Sequence, residues 1–402
     1  MLDSEEQERS APKDNPSQSH DYALEVNQNT QRKLEALYEN SEFFALHPDF
    51  NILHSDDIEI GEKLGAGGFC EVHQVTVLNN KSLAIKYLKR EVLENKELHE
   101  RGAADLAMEA CFLAKLDHRN IVKLYGISEP GEVNAFLVMD LLYDNLDDRI
   151  KQWRQGKGFS QHAQKHGGFP FFQKKEDPNV KRLSELKVRL KEALAIAEAL
   201  EYLHSKKIIH RDIKPDNVAF DADGTAKLID FGLAKELKDS EKMVNGKYRL
   251  TGNTGVWRYM APEIAKEWAY DMSVDTYSFG ILLWEICSME RPFSAYTHQE
   301  HTKMVVNGED RLEIETWWPI ELQWLLKKCW SFFPSGRPTF EDIRETLEEV
   351  IEDSHADSQD QHVHRVGFAS LGGIGGTWRK SQNNGESRFP DPRQVQSTRS
   401  HR

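Results

Sequence analysis

The feature that most constrains this chain is a short polar loop that is followed by a second acidic turn. The loop reads His210-Arg211-Asp212-Ile213-Lys214-Pro215-Asp216-Asn217. In it, Asp212 can serve as a base, Lys214 supplies a cation, and Asn217 supplies an amide that can bind a metal ion. Further on, Asp230 adds a second carboxylate, followed by phenylalanine and glycine. Two solvated acidic loops are the plain alternative, but unrelated loops rarely supply all of these groups together.

A glycine-rich segment and a strand lysine precede that loop. The segment reads Leu64-Gly65-Ala66-Gly67-Gly68-Phe69-Cys70-Glu71-Val72. Because glycine has no Cβ, such a segment allows backbone N–H groups to close over phosphate groups. Taken alone, it fits a plain glycine-rich hairpin equally well. Lys86, in Ala84-Ile85-Lys86, lies on a predicted strand one hairpin away, where a lysine is usually only a surface residue.

Composition and charge exclude several classes of protein. The 402 residues carry a formal net charge of −14, which argues against a protein that mainly neutralises nucleic-acid phosphates. No stretch approaches about 18 consecutive apolar residues, so no membrane span is expected. The acidic start is not typical of a signal peptide or a mitochondrial presequence. The four cysteines lie far apart without a Cys-x-x-Cys pair, which disfavours a zinc site or a disulfide scaffold. We therefore expect an intracellular protein, in the cytoplasm first and the nucleus second.

Hydrophobic patterning divides the chain into a body and polar flanks. Residues 1–50 are predicted to be an N-terminal extension, partly disordered, with an amphipathic helix between Tyr22 and Leu46. The body covers residues 58–350 and is interrupted at 155–180 by a segment without period, which predicts an insertion loop. Residues 353–402 are predicted to form a disordered basic tail.

Periodicity predicts strands in the first part of the body and helices in the second. A turn at Asn79-Asn80 between alternating segments indicates a hairpin, and Ser184 is predicted to cap a long helix. The fold class is therefore α+β, with a small strand-rich part, a larger helical part and a cleft between them. The predicted strands are Glu59–Leu64, Cys70–Val77, Ser82–Leu88, Ile121–Ile127 and Ala135–Met139, and the predicted helices are Leu106–Leu116, Ser184–His204 and Ser273–Met289.

The order of these motifs resembles the catalytic domain of eukaryotic protein kinases. After the glycine-rich segment, Lys86, the loop around Asp212 and the turn at Asp230 comes the sequence Met260-Ala261-Pro262-Glu263. The resemblance covers about Ile58 to Val350, and five motifs in the right order make it specific.

The resemblance implies a bilobal fold and serine/threonine specificity. A strand-rich N-lobe of residues 58–139 would precede a larger helical C-lobe of residues 140–350. Lys214 supports serine/threonine specificity, because tyrosine kinases have alanine or arginine patterns there. The segments that are most similar to the tyrosine-kinase-like group of serine/threonine kinases are Thr251 to Glu263, Cys329-Trp330 and Arg337-Pro338.

The resemblance also implies roles for individual residues, with ATP as co-substrate and Mg²⁺ as cofactor. Lys86, oriented by an ion pair with Glu109, would hold the α- and β-phosphates. Asp212 would accept the proton of the attacking hydroxyl, and Lys214 would stabilise the γ-phosphoryl group. The expected Mg²⁺ ligands are Asn217 and Asp230. The residues expected to line the nucleotide site are Leu64, Gly65, Ala66, Gly67, Gly68, Val72, Ala84, Lys86, Met139 and Asp140.

Further positions follow from the same resemblance. Asp275 would hold the catalytic loop in place, and Glu263 would pair with Arg337. Arg211, beside the catalytic aspartate, predicts regulation by a phosphate group between Gly232 and Ala261. The candidate acceptors are Ser240, Tyr248, Thr251 and Thr254, of which the last two are favoured by their distance from Ala261. The expected partners are protein substrates and an activating kinase, unless the chain phosphorylates itself; neither nucleic acid nor a membrane anchor is expected.

Two residues depart from the pattern of the family. Cys70 replaces the third glycine of the phosphate loop, and Val256 stands where serine/threonine kinases usually have a hydroxyl and tyrosine kinases have proline. Val256 puts substrate specificity in doubt, but neither change removes a phosphate or metal ligand. The alternatives are a pseudokinase, a tyrosine or dual-specificity kinase, and, less favoured, a small-molecule phosphotransferase.

Overall fold

The computed structural model describes residues 16–77, 81–129, 135–156 and 177–353. The chain divides into two units, Met1–Ser354 and His355–Arg402, and the second lies outside the described residues. The predicted turn at Asn79-Asn80, nearly all of the predicted insertion loop and the predicted basic tail also fall outside them.

A five-stranded antiparallel sheet forms the first part of the body, in the order β1-β2-β3-β5-β4. Its central strand β3 places Lys86 opposite Val72 of β2 and Leu137 of β5. Val75 and Val138 are fully buried on a sheet face, as the alternation of apolar residues predicts. The strands are β1 Glu59–Ala66, β2 Cys70–Val77, β3 Lys81–Leu88, β4 Leu124–Ile127 and β5 Phe136–Met139.

Helix α3, Lys96–Lys115, packs beside this sheet and begins ten residues before the predicted helix. The side chain of Asn95 caps it by accepting a hydrogen bond from the N–H of Leu98. The short helix α2, Arg90–Leu93, leads into it. The prediction missed the first half of α3 because that half is mostly polar and lacks an apolar period.

Helix α1, Pro16–Tyr38, precedes the sheet and packs against α3. It ends eight residues before the predicted end, and residues 39–46 form turns instead. Leu37 and Phe44 are buried in the main hydrophobic core. The segment that follows pairs with the edge of the sheet, where Ile52 forms a parallel bridge to Ile127 of β4.

The second part of the body is mainly helical and is built around α7, in which Val274 to Cys287 are all buried. This part also contains two small sheets, in which β8 pairs with β6 and β9, and β7 pairs with β10. The helices are α4 Leu146–Arg154, α5 Pro178–Ser205, α6 Pro262–Ala265, α7 Ser273–Ser288, α8 His298–His301, α9 Ile320–Cys329 and α10 Phe340–Glu352. The strands are β6 Asp144–Asn145, β7 Ile208–Ile209, β8 Val218–Phe220, β9 Ala226–Leu228 and β10 Lys235–Glu236. The predicted α+β, bilobal fold class is confirmed.

The predicted start of α5 at Ser184 is wrong. The helix begins at Pro178, and the side chain of Asp177 caps it by accepting a hydrogen bond of 2.8 Å from the N–H of Asn179. Aspartate before proline is the stronger start signal, since proline has no N–H to leave unsatisfied in the first turn. Ser184 lies inside the helix and donates to the carbonyl of Lys181.

Candidate active site

An ion pair joins the central strand to helix α3. Lys86 Nζ lies 2.5 Å from Glu109 Oε2 and 3.8 Å from Asp230 Oδ1. Glu109 is 2% exposed, so this pair is shielded from water. Burial alone would lower the pKa of Lys86, but the carboxylates of Glu109 and Asp230 outweigh it and raise that pKa above its ordinary value. The lysine is therefore charged and fixed in place.

The loop after β7 brings two side chains to Asp212. Asp212 Oδ2 accepts hydrogen bonds from Lys214 Nζ at 2.5 Å and from Asn217 Nδ2 at 2.9 Å. Asn217 also donates to the main-chain carbonyl of Asp212, because the 3₁₀ turn Pro215–Asn217 folds the chain back on itself. Both Asp212 and Asn217 are buried. The base, the cation and the amide predicted from the sequence are thus brought together.

Asp275 of α7 fixes the start of this loop through hydrogen bonds. It is 0% exposed and accepts hydrogen bonds from the N–H groups of His210 and Arg211, at 2.8 and 2.9 Å, and from His204 Nε2 at 3.0 Å. Burial opposes its ionisation, but the hydrogen bonds and charge of the two histidines outweigh burial and keep the pKa of Asp275 below its usual range. These contacts stabilise Arg211 at φ 69°, a left-handed conformation that a non-glycine residue rarely adopts.

Asp230 adopts the same rare conformation, at φ 65°. Its Oδ1 accepts a weak hydrogen bond of 3.4 Å from the N–H of Gly232, and the next side chain, Phe231, is fully buried edge-on to the ring of His210. Burial would raise the pKa of Asp230, but the charge of Lys86 and that of His210 hold it below its usual range. The carboxylate is therefore ionised and turned toward Lys86.

The glycine-rich segment forms the turn between β1 and β2. The N–H of Gly67 donates to the carbonyl of Cys70 at 2.8 Å and closes the turn. A Cβ added at Gly65 or Gly68 would meet no atom within 4 Å, so the turn borders open space. Burial raises the pKa of Cys70 to about 11, despite the opposing charge of nearby Lys86, so its thiol is neutral at physiological pH.

Three further residues predicted to line the nucleotide site, Ala84, Met139 and Asp140, fall into two groups. Ala84 and Met139 are buried and lie opposite each other on β3 and β5. The carboxylate of Asp140 instead accepts hydrogen bonds from the N–H of Lys123 and the hydroxyl of Tyr125, at 3.0 and 3.1 Å. The carboxylate of Asp140 also lies 3.4 Å from Lys227 Nζ, and the N–H of Asp140 donates to the carbonyl of Lys123 at 3.1 Å, so this residue is held against the start of β4.

Residues 233–260 and the loop of residues 210–217 are here called the activation segment and the catalytic loop, after the segments of protein kinases that they resemble. The two are in contact through Arg211. Arg211 Nη1 donates to Thr251 Oγ1 at 3.0 Å and to the hydroxyl of Tyr270 at 3.2 Å. Of the four predicted phosphate acceptors, Thr251 is therefore the one that lies at this arginine. Tyr248 is buried and pairs with Tyr270 through main-chain hydrogen bonds, while Thr254 Oγ1 donates to main-chain carbonyls beside Thr251.

The end of the activation segment lies directly against the catalytic loop. Gly255 has φ 93°, and a Cβ there would approach the carbonyl oxygen of Arg211 to 2.6 Å and Asp212 Oδ1 to 3.3 Å. Only glycine fits this approach. Val256, the next residue, is 36% exposed and has no hydroxyl to offer to Asp212.

A second ion pair stabilises the region below the activation segment. Arg337 makes a bidentate contact with Glu263, with N–O distances of 2.5 and 3.0 Å, and both residues are buried. Arg337 also donates to the carbonyl of Ser273 at the start of α7. The predicted pairing of these two residues is present, and it ties α6 to α7.

The donor set of the site suits a hard cation that is shared with phosphate oxygens. Within the described residues, no group of three or more His, Cys, Asp or Glu side chains could hold a metal ion on its own. Asn217 and Asp230 lie on adjacent chain segments, since the N–H of Ile229 donates to the carbonyl of Asn217. Mg²⁺ is commonly held by one or two carboxylates together with substrate phosphates, so this pair fits it.

Sequence reasoning missed two sets of contacts around the site. His204 had no assigned role, although it binds Asp275. The contacts of Glu236 with Ser41, Glu42 and Phe43 were also missed, because nothing in the sequence pairs segments about 195 positions apart.

In the part of the chain that the structure describes, no helix is long and apolar enough to cross a membrane.

Comparison with known proteins identifies the family. The sequence model for "Protein tyrosine and serine/threonine kinase" matches residues 58–347. The chain is 29% identical over 318 residues to the serine/threonine-protein kinase STY17 of Arabidopsis thaliana, covering 78% of this chain and 48% of that protein. It is 30% identical to the dual specificity protein kinase shkB of Dictyostelium discoideum, covering 72% and 40%, and 29% identical to the mouse tyrosine-protein kinase Fer, covering 74% and 31%.

These matches concern one region of larger proteins, because the chain spans half or less of the length of each of the three. The matched region begins at the first strand of the sheet and ends in the last helix, so it contains every motif described above. The chain belongs to the protein tyrosine and serine/threonine kinase family.

Proposed function

We propose that this protein transfers the γ-phosphoryl group of ATP to serine or threonine hydroxyls of protein substrates. The observation that carries the proposal is the simultaneous presence of two assembled groups. One is the buried Lys86–Glu109 pair beside Asp230, and the other is Asp212 with its two donors. Phosphoryl transfer depends on positioning and charge neutralisation, which these fixed charges supply.

Each side chain has a defined task in this reaction. Lys86 binds the α- and β-phosphates, and Glu109 keeps its ammonium group in place. The carboxylate of Asp212 orients the substrate hydroxyl and accepts its proton, while Lys214 stabilises charge on the transferred group. Asn217 and Asp230 would hold Mg²⁺, which neutralises charge on the phosphate oxygens when bound.

Serine/threonine specificity rests on Lys214, whose Nζ binds the catalytic carboxylate directly. The names of the three relatives cover serine/threonine, dual and tyrosine specificity, so the family alone leaves this choice open. Val256 supports a tyrosine or dual-specificity kinase as the second candidate, because it lacks the hydroxyl that is usual in serine/threonine kinases.

We further propose that phosphorylation of Thr251, by an upstream kinase or by the chain itself, regulates the enzyme. The Thr251 hydroxyl already accepts a hydrogen bond from Arg211. A phosphate group at that oxygen would face the guanidinium and form a charge-assisted contact.

The test combines binding and transfer on the full chain. Titration with a fluorescent ATP analogue, with and without Mg²⁺, measures binding by the wild type, by Lys86→Met and by Lys191→Met, which alters an exposed lysine of α5. Labelled ATP and a peptide mixture then measure transfer, followed by identification of the phosphorylated amino acid. Phosphoserine or phosphothreonine supports the proposal and phosphotyrosine supports the second candidate. If the wild type binds the analogue and Lys86→Met does not, but the wild type transfers no phosphate to any peptide, the result would indicate a pseudokinase.

A further inference from the structure

The segment before the sheet packs against the second half of helix α3. The hydroxyl of Tyr38 shares a hydrogen bond of 3.0 Å with the Sγ of Cys111. The ring of Phe44 packs edge-on against that of Phe112 at 5.2 Å, and both phenylalanines are buried. These contacts lie two and three residues after Glu109, the partner of the strand lysine.

The same segment reaches both ends of α3. Near the first residue of the helix, Lys96 Nζ lies 2.5 Å from Glu25 Oε2. At the last residue, Lys115 Nζ donates to the carbonyl oxygen of Leu46 at 2.8 Å. We call residues 25–46 the N-terminal brace, since they contact α3 at both of its ends and at Cys111 and Phe112.

The brace also binds the activation segment through a buried carboxylate. Glu236 of β10 is 2% exposed. Its Oε1 accepts hydrogen bonds from the N–H groups of Glu42 and Phe43, at 3.0 and 2.9 Å, and its Oε2 accepts one of 2.5 Å from Ser41 Oγ. The brace thus covers this carboxylate and supplies the hydrogen bonds that offset the cost of removing its charge from water.

A buried cation completes the contact. Lys238 is 4% exposed, and its Nζ donates to the main-chain carbonyls of Ala36 and Glu39. Between the two charged residues, the N–H of Leu237 donates to the carbonyl of Lys207, just ahead of β7 and the catalytic loop. The brace therefore meets the activation segment where that segment lies against the start of the catalytic loop.

We propose that the N-terminal brace holds the active arrangement together, with Glu236 and Lys238 as positioning residues. It contacts α3, which carries Glu109, and β10, which begins three residues after Gly232 and so follows Asp230 closely. The brace therefore acts on both carboxylates beside Lys86, on Glu109 through α3 and on Asp230 through β10. The proposal rests on the proposed kinase activity for its kinetic consequence only.

The experiment uses full-chain variants that leave every proposed catalytic and nucleotide-binding residue intact. Lys238→Met keeps the length of the side chain but removes its donors, Lys238→Arg keeps them, and Ser41→Ala removes one hydrogen bond to Glu236 from the brace side. Lys191→Met is the matched control, because Lys191 is exposed on α5. Amide hydrogen exchange of α3 and β10 is measured beside the kcat for phosphate transfer and the KM for the protein substrate.

We expect Lys238→Met and Ser41→Ala to raise exchange in α3 and to lower kcat, by about tenfold for Lys238→Met, with the KM for the protein substrate unchanged. Lys238→Arg should restore much of both. Exchange in α3 equal to that of the wild type and of Lys191→Met would overturn the proposal. If Lys238→Met raises exchange throughout the chain, that variant is generally destabilised, and exchange of α3 in Ser41→Ala tests the proposal instead. If the wild type transfers no phosphate, the proposed function fails, while exchange in α3 still decides the proposal about the brace.

Discussion

Arg211 Nη1 donates a hydrogen bond of 3.0 Å to the hydroxyl of Thr251, and this contact joins the catalytic loop to the activation segment. The same guanidinium binds Tyr270 through its hydroxyl and Leu233 through its carbonyl. The arginine thus lies at the meeting point of three chain segments. A phosphate group on Thr251 would add negative charge at that point.

We expect Thr251→Ala to lower kcat by about tenfold in protein that has been phosphorylated, because the Arg211–phosphate contact is lost. Thr254→Ala is the control, since the Thr254 hydroxyl donates to the carbonyls of Thr251 and Gly252, whereas the Thr251 hydroxyl accepts from Arg211. Phosphopeptide mapping and initial rates measure the effect. Equal kcat values for the two variants would count against Thr251 as the regulatory site.

Val256 offers a nearly isosteric test of substrate selection. Val256→Thr places a hydroxyl next to Gly255. A Cβ at Gly255 would lie 3.3 Å from Asp212 Oδ1, so the segment runs close to that carboxylate. We expect kcat on serine peptides to rise about two- to threefold, because a further donor orients the catalytic carboxylate. Val256→Ala, which adds no hydroxyl, should not increase kcat. Rates on peptides that differ only in serine or tyrosine measure the effect, and equal responses of both variants would contradict this account.

The buried pair of Arg337 and Glu263 should matter for stability. Arg337→Lys keeps the charge but loses the bidentate contact, and we expect it to lower the free energy of unfolding by about 2 kcal/mol. Arg344→Lys is the control, because Arg344 forms ion pairs at the surface of α10, where solvent screens them. Thermal unfolding compares the two variants. A melting temperature lowered equally in both would refute the special role of the buried pair.

Glu285 should make stability depend on pH. Burial raises its pKa to about 7, against the opposing hydrogen bond from the Tyr259 hydroxyl at 2.6 Å. The charges of Asp147, Asp216 and Arg291 also act on it. Between the ordinary pKa of 4.5 and about 7, the folded state binds more protons than the unfolded state, so the contribution of Glu285 falls as pH rises.

Glu285→Gln removes that titration. We therefore expect the free energy of unfolding of the variant, minus that of the wild type, to increase as pH rises from 5 to 8. The expected increase is on the order of 2 kcal/mol. Comparing each variant with wild type at the same pH cancels other groups, including Glu192, whose pKa is also raised to about 7. A difference between variant and wild type that does not change with pH would contradict the prediction.

The sequence was sufficient to predict those parts of the site that lie within short motifs. Asp212, Lys214 and Asn217 are close together because one short loop carries them, and the turn at Asp230 is equally local. Lys86 and Glu109 lie on different elements, and the resemblance to kinases, rather than periodicity, paired them. The roles of all these residues remain proposals.

Contacts between distant segments could not be predicted in this way. Glu236 and Lys238 look like ordinary exposed charges of a loop, and only the fold shows that the brace buries them. The first half of α3 consists mostly of polar residues, so its helical period was not apparent from the sequence. The sequence Asp177-Pro178 is a local signal for a helix start. The predicted start lay at Ser184 instead, because the apolar positions of α5 become periodic only after that residue.

Replacement of the proposed catalytic base tests the central claim most directly. Initial rates of phosphate transfer from labelled ATP with Mg²⁺ are compared for wild type, for Asp212→Asn and for Asp223→Asn, an exposed turn residue between β8 and β9. We predict that Asp212→Asn lowers kcat by about 10²- to 10⁴-fold, while Asp223→Asn leaves it unchanged. Transfer by Asp212→Asn at the wild-type rate would contradict the account.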